Sequence, residues 1–240
     1  MADNQSKSVN PARSNGSPAT TEVDTFLAEL RQRRQTIVDK PFVRGRLIFG
    51  LDATASRQPV WDTACQLQAE MFREVAAAGG LELQLVYYRG SGECRASKWI
   101  ANSEHLAKTM SQIMCNAGQT QIEKILTHAQ KETKLLRVSA LVFVGDAMEE
   151  IPETLAHEAN ALGRLGVPAF MFQEGRDPDA EHVFRNIASL TKGAYCHFDT
   201  GAARQLAELL RAVAVYAAGG MTALAARKDA SAIKLLGQLK

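Results

Sequence analysis

The chain has 240 residues, 46% of them hydrophobic, with 28 Lys and Arg against 26 Asp and Glu for a formal net charge of +2. That near-balance argues for neither a dedicated nucleic-acid binder nor a dedicated binder of acidic substrates. The apolar content at this length is what one full-sized domain needs for its core. Cys65, Cys94, Cys115 and Cys196 lie far apart with no Cys-x-x-Cys. They read as reduced thiols rather than a disulfide framework or a zinc knuckle. No apolar h-region follows the N-terminus, so the expectation is a cytoplasmic protein. The weakly polar run Ala212–Ala226 is too short to cross a bilayer and contains Gly219-Gly220, so no membrane partner is expected.

Residues 1–21 are Ser, Asn, Pro, Thr and Gly with few large apolar groups, and are expected to be a disordered tail. Residues 22–40 carry Phe26, Leu27, Leu30 and Ile37 at helical spacing. This predicts an N-terminal helix whose Arg31, Arg33 and Arg34 form a solvated face rather than a nucleic-acid handle. A main domain is expected over 41–219 and a helical tail over 220–240, where Ile233, Leu236 and Leu239 repeat a weak helical spacing.

The stretch Leu47-Ile48-Phe49-Gly50-Leu51-Asp52-Ala53-Thr54-Ala55-Ser56 organises that domain. It starts as the apolar run of a buried parallel strand and ends in a carboxylate followed by two hydroxyls at alternate positions. Such positions share a direction in extended chain, so a turn just past the strand can gather three oxygens. A helix from Pro59 to about Ala78, closed by Gly79-Gly80, follows. Leu81–Tyr88 alternates as a strand. The turn Arg89-Gly90-Ser91-Gly92 is too short to hold a crossover helix, so Glu93–Ile100 must return antiparallel. Ser103 can cap a helix bearing Leu106, Met110, Ile113 and Met114.

Gly118-Gln119-Thr120 opens a helix over Gln121–Leu136, and Thr120 alone reads as its N-cap. Leu141–Asp146 repeats the pattern of an apolar strand ending in a carboxylate. Helices after Pro152 and from Asp177-Pro178, strands at Val167–Phe172 and Ala194–Phe198, and a helix over Gly201–Ala218 complete the chain. Glu149 and Glu150 are placed to favour the N-terminus of the helix after Pro152. The fold class is therefore α/β: a doubly wound, mostly parallel six-stranded sheet with one antiparallel edge strand and helices on both faces. In such sheets ligands gather beyond the carboxyl ends of the strands, where Asp52 and Asp146 would share a rim.

Asp52-x-Thr54-x-Ser56, then Thr120, then Asp146 resembles the metal-ion-dependent adhesion site of the von Willebrand factor A (VWA) family. The family usually has Ser at the middle of the first motif, and Thr54 keeps the hydroxyl. Its last motif often places Gly after the Asp, where this chain has Ala147. The resemblance spans roughly 46–219 and is that of an intracellular, bacterial-type member. It implies that Asp52, Thr54, Ser56, Thr120 and Asp146 hold Mg²⁺ or Mn²⁺ with one position open. An Asp or Glu of a partner protein then completes the shell, so the function is binding rather than turnover.

The main alternative is a Mg²⁺-dependent phosphohydrolase of haloacid dehalogenase type, with Asp52 as nucleophile. Against it, Thr54 stands where that chemistry needs a second Asp as general acid. A metal-free scaffold is the third reading. His157-Glu158 lacks the second His of a zinc-protease pair, and no Gly-x-Ser-x-Gly elbow is present.

Overall fold

Strand β1 (Gly45–Asp52) is buried along its whole length, as a strand covered on both faces must be. Leu47, Phe49 and Leu51 enter one core and Ile48 the other, because successive side chains point to opposite faces. Strand β2 (Leu81–Arg89) pairs parallel with β1 from Gly45↔Leu81 to Asp52↔Tyr88. Strands β4 (Ala140–Gly145), β5 (Ala169–Glu174) and β6 (Ala194–Phe198) extend the parallel ladder on the other side. Strand β3 (Glu93–Ala96) pairs antiparallel with β2, so the six-stranded order is β3-β2-β1-β4-β5-β6.

The computed structural model describes residues 45–57, 81–199 and 202–239, all within the unit Arg44–Lys240. The expected tail 1–21, the helix 22–40, the helix from Pro59 to Ala78 and Cys65 lie outside the described residues.

Helices α2 (Ile122–Leu135), α3 (Pro152–Arg164) and α4 (Pro178–Leu190) cover one face of the sheet. They contribute Ile125, Leu155 and Phe184 to the core that holds Ile48 and Phe143. The opposite face is covered by α1 (Ser103–Ser111), α5 (Ala203–Arg227) and α6 (Ala230–Leu236). Met110, Leu210 and Leu235 pack there against Leu47, Val142 and Phe170. The sheet is thus doubly wound, with one antiparallel edge, as its sequence pattern requires.

Three local expectations shift. The antiparallel strand stops at Ala96 rather than Ile100. Ser97 then bonds back to Leu85, with its N–H donating to the Leu85 carbonyl at 2.8 Å, and Ile100 rejoins β2 at Leu83. Helix α1 already includes Ser103, and the His105 N–H reaches Asn102 Oδ1 at 3.4 Å, so the capping oxygen belongs to Asn102. Helix α5 continues beyond Ala218 to Arg227, interrupted at Gly220, whose φ of 69° and ψ of −164° are non-helical. Only glycine takes that region readily.

By length and composition Arg204–Arg227 could cross a bilayer. Its Leu206, Leu209, Leu210, Val213 and Ala217 are instead core residues packed with the sheet. Past Gly220, Leu224, Ala232 and Leu235 are wholly buried in the same core while Ile233 is 61% exposed, so the final turns dock on this domain through a face that excludes Ile233. Gln238 completes the docking. Its side chain accepts from the Tyr195 N–H at 2.9 Å and donates to the Tyr195 carbonyl at 3.0 Å. That side chain covers part of the open edge of β6, a position where unpaired strand groups invite unwanted pairing.

Candidate metal centre

The tip of β1 is built around Asp52, which is fully buried. Its Oδ1 accepts from the Thr54 N–H at 2.8 Å and its Oδ2 accepts from the Tyr88 hydroxyl at 2.9 Å. Tyr88 can reach because the register sets it directly opposite Asp52. The chain then turns through the short 3-10 segment Ala55–Arg57, closed by the Arg57 N–H on the Thr54 carbonyl at 3.1 Å. This turn brings Thr54 Oγ1 and Ser56 Oγ to 3.1 Å from each other. Burial pushes the Asp52 carboxyl above its ordinary range, and the nearby charge of Asp146 adds to the rise. Bonds from Thr54 and Tyr88 oppose it.

Asp146 follows β4 directly. The pairing Leu51↔Val144 places the ends of β1 and β4 side by side, and a methyl group on Gly145 would lie 3.6 Å from the Asp52 Cβ. Asp146 Oδ1 is buried and has no hydrogen-bond partner among the described residues. The loop after it does not need the family's glycine. The described non-glycine residues with positive φ are Lys192 and Lys228, so Ala147 sits in an ordinary conformation.

Thr120 is buried and bonded reciprocally to the loop that follows Asp146. Its N–H donates to Glu149 Oε2 at 3.0 Å, and its Oγ1 accepts from the Glu149 N–H at 2.9 Å. Thr120 is therefore not the N-cap of α2. Gln121 holds that position with no side-chain cap bond. The first N–H groups of α2 are taken by Glu150, which accepts from Ile122 and from Glu123, each at 2.8 Å. The acidic pair thus satisfies the N-terminus of α2 and its approach, across a loop, rather than that of α3, the helix after Pro152.

The Thr120 loop is also fastened to the tip of β1 and to the turn between β2 and β3. The Asn116 N–H donates to the Ala53 carbonyl at 3.0 Å. Gly118 lies so close to Gly90 that a Cβ would stand 2.1 Å from the Gly90 carbonyl oxygen. A side chain at 118 would hold the loop away.

The structure consequently brings the three loops to one rim. Asp52, Thr54 and Ser56 share one turn, Asp146 lies alongside, and Thr120 is tied to the Asp146 loop. Among the described residues no group of three or more His, Cys, Asp or Glu side chains is placed to hold a metal ion. The donor set here is two carboxylates and three hydroxyls, all oxygen, which suits a hard cation that retains water. The orphaned Asp146 oxygen is the observation that fits such a cation, since a buried acceptor without a donor costs about 1–3 kcal/mol. Sequence reasoning missed Tyr88 as the clamp on Asp52, and it missed what Glu149 and Glu150 hold. The register of a parallel neighbour strand, invisible in local pattern, was the signal needed for Tyr88.

No protein-family model and no curated protein sequence matches the chain. Solved structures do. The VWA domain of SpRpn10 is similar at a TM-score of 0.56 and 13% identity, over 71% of this chain and 95% of that one. The von Willebrand factor domain of the type V pili tip protein Mfa5 from Porphyromonas gingivalis is similar at 0.56 and 11%, over 72% and 94%. Proximal thread matrix protein 1 from the mussel byssus, with a zinc-occupied metal-ion-dependent adhesion site, is similar at 0.54 and 15%, over 71% of this chain and 46% of that one. Strand order, the antiparallel edge and these likenesses together show that the described part of this chain has the fold of VWA domains.

Proposed function

We propose that this domain is a metal-dependent protein-interaction module. Asp52 and Asp146 would supply the charged ligands, and the Thr54, Ser56 and Thr120 hydroxyls the neutral ones. A Mg²⁺ or Mn²⁺ bound there supplies a Lewis-acidic position that accepts a carboxylate oxygen from an Asp or Glu of a partner protein. The protein's own part is to hold Asp52 through Thr54 and Tyr88, to fix Thr120 through Glu149, and to leave one Asp146 oxygen without a competing donor. That last observation carries the reading. With two charged and three neutral protein ligands the ion would keep a water-held position, which an external carboxylate could take by exchange.

Two of the structural neighbours are a VWA domain and a von Willebrand factor domain, and the third has a metal-occupied adhesion site, which supports a non-enzymatic reading. Reduced, unreactive thiols at Cys94 and Cys196 and a location in the cytoplasm are part of the same proposal; burial pushes the Cys196 thiol up to about 11. The zinc-occupied site of the mussel protein is reason to include Zn²⁺ among the ions tested.

The test is capture of partners on immobilised full-length chain in Mg²⁺ and in chelator, with the Asp146→Ala chain alongside. The account expects a partner retained only by the unaltered chain in Mg²⁺. A partner set identical in chelator would count against it. Hydrolysis of a simple phosphate ester that needs Mg²⁺ and is lost in Asp52→Asn would establish the phosphohydrolase reading instead.

A further inference from the structure

A buried ion pair stands beside the candidate centre. Arg57, which closes the turn after Ser56, is 1% exposed, and its Nη1 donates to Glu174 Oε2. Glu174 is the last residue of β5 and is itself buried at 5% exposure. The register Gly145↔Gln173 sets the next residues, Asp146 and Glu174, at the same level of the rim. Strand β4 lies between β1 and β5. The pair therefore runs from the β1 turn past the end of the strand that leads to Asp146.

Each member would disturb a divalent site if released. A loose guanidinium one residue from Ser56 would repel a cation and seek Asp146 as its new partner. A Glu174 carboxylate without that counter-charge would be a third net anion at the same rim. It would favour the higher oxygen count of Ca²⁺ over the sparse protein shell of Mg²⁺, and would fill the position meant for a guest. Bound to each other, they do neither. Consistent with this, the three carboxylates Asp52, Asp146 and Glu174 do not converge as a ligand cluster.

We propose that Arg57 and Glu174 are positioning residues that neutralise one another, and that their pairing keeps the site a two-carboxylate centre with an open position. This rests on the metal reading above and deepens it by assigning what sets the ion preference of the site.

The test is calorimetric titration of MgCl₂ and of CaCl₂ into the full chain, unaltered and as Glu174→Gln, Arg57→Met, the double variant and Asp146→Ala, with folding checked by circular dichroism. Glu174→Gln frees the guanidinium and should weaken Mg²⁺ binding about tenfold. The double variant removes both charges and should return to within about threefold of the unaltered chain. Arg57→Met leaves the Glu174 carboxylate without its guanidinium counter-charge and should raise the Ca²⁺ to Mg²⁺ affinity ratio about tenfold. Arg57→Met strands a buried carboxylate and can fail to fold, in which case Glu174→Gln against the double variant decides alone. A pair that merely bolts the loop would leave the double variant as weak as Glu174→Gln; that result, with the unaltered chain still binding Mg²⁺, overturns the proposal and leaves the metal reading standing. If the unaltered chain binds neither ion and Asp146→Ala changes nothing, the metal reading falls and this proposal with it.

Discussion

At the end of β1, Asp52 is enclosed and both of its oxygens have donors; just past the end of β4, Asp146 keeps one buried oxygen with none. The same functional group thus does different work at neighbouring strand ends. Asp52 organises its own turn, tying Thr54 beneath it and Tyr88 across from it, before it could hold anything else. The Asp146 Oδ1 contributes nothing to hydrogen bonding among the described residues, and in the proposed reading its partner is the cation. A carboxylate with an internal role should be missed when the protein is empty. One whose role lies with an external cation should be missed only when the ion is present.

Substitution at the two tips breaks that comparison most directly. Asp52→Ala strands the Thr54 N–H and the Tyr88 hydroxyl, and should lower stability by about 2–4 kcal/mol in urea unfolding as well as abolish divalent binding. Asp146→Ala should weaken divalent binding on the order of 100-fold or more. Yet it should leave the metal-free melting temperature unchanged or slightly raised, because it removes an acceptor that had no partner. Equal destabilisation by the two substitutions would erase the distinction.

Smaller effects sharpen it at the third loop. Gly118→Ala sets a methyl group against the Gly90 carbonyl, and should push the Thr120 loop outward at a cost of about 1–3 kcal/mol, with weaker metal binding as the second readout. Glu150→Ala removes the acceptor for two N–H groups of α2 and should cost about 1 kcal/mol, read as a shift in the urea midpoint.

The smallest expected effect is on pH dependence. The folded Asp52 carboxyl titrates above its ordinary value of 3.8. Its contribution to metal-free stability is therefore fully present below that value and is lost as pH rises through the raised one. Saturating Mg²⁺ should reverse the sign in the same window, since the ion needs the ionised form. Melting curves across that range, with and without Mg²⁺, should diverge in the unaltered chain, and the divergence should vanish in Asp52→Asn.

Elements dictated by local pattern could be read before any coordinates. The apolar run Leu47–Leu51, the short Gly90-Ser91-Gly92 turn that forces an antiparallel return, and the Asp177-Pro178 helix start all depend on neighbours in sequence. The Asp177 carboxylate does accept from the Ala180 N–H at 2.7 Å. Contacts between distant segments could not be read that way. Nothing near Glu150 in sequence announces that it serves a helix 28 residues earlier, and nothing near Arg57 announces Glu174, 117 residues on. The placement of the last turns depends on such contacts too. Leu236 and Leu239 of the weak spacing pack partly buried on this domain's own core, beside the wholly buried Ala232 and Leu235, while Ile233 stays exposed.

The central claim is that Asp146 keeps an oxygen for a divalent cation shared with Asp52. Titration of Mn²⁺ into the full-length chain, with free ion read by electron paramagnetic resonance, tests it most directly. The account predicts one bound ion per chain, displaced by Mg²⁺, and none in a folded Asp146→Ala chain. Mn²⁺ that stays free in the unaltered chain, or binds the two chains equally, would contradict it.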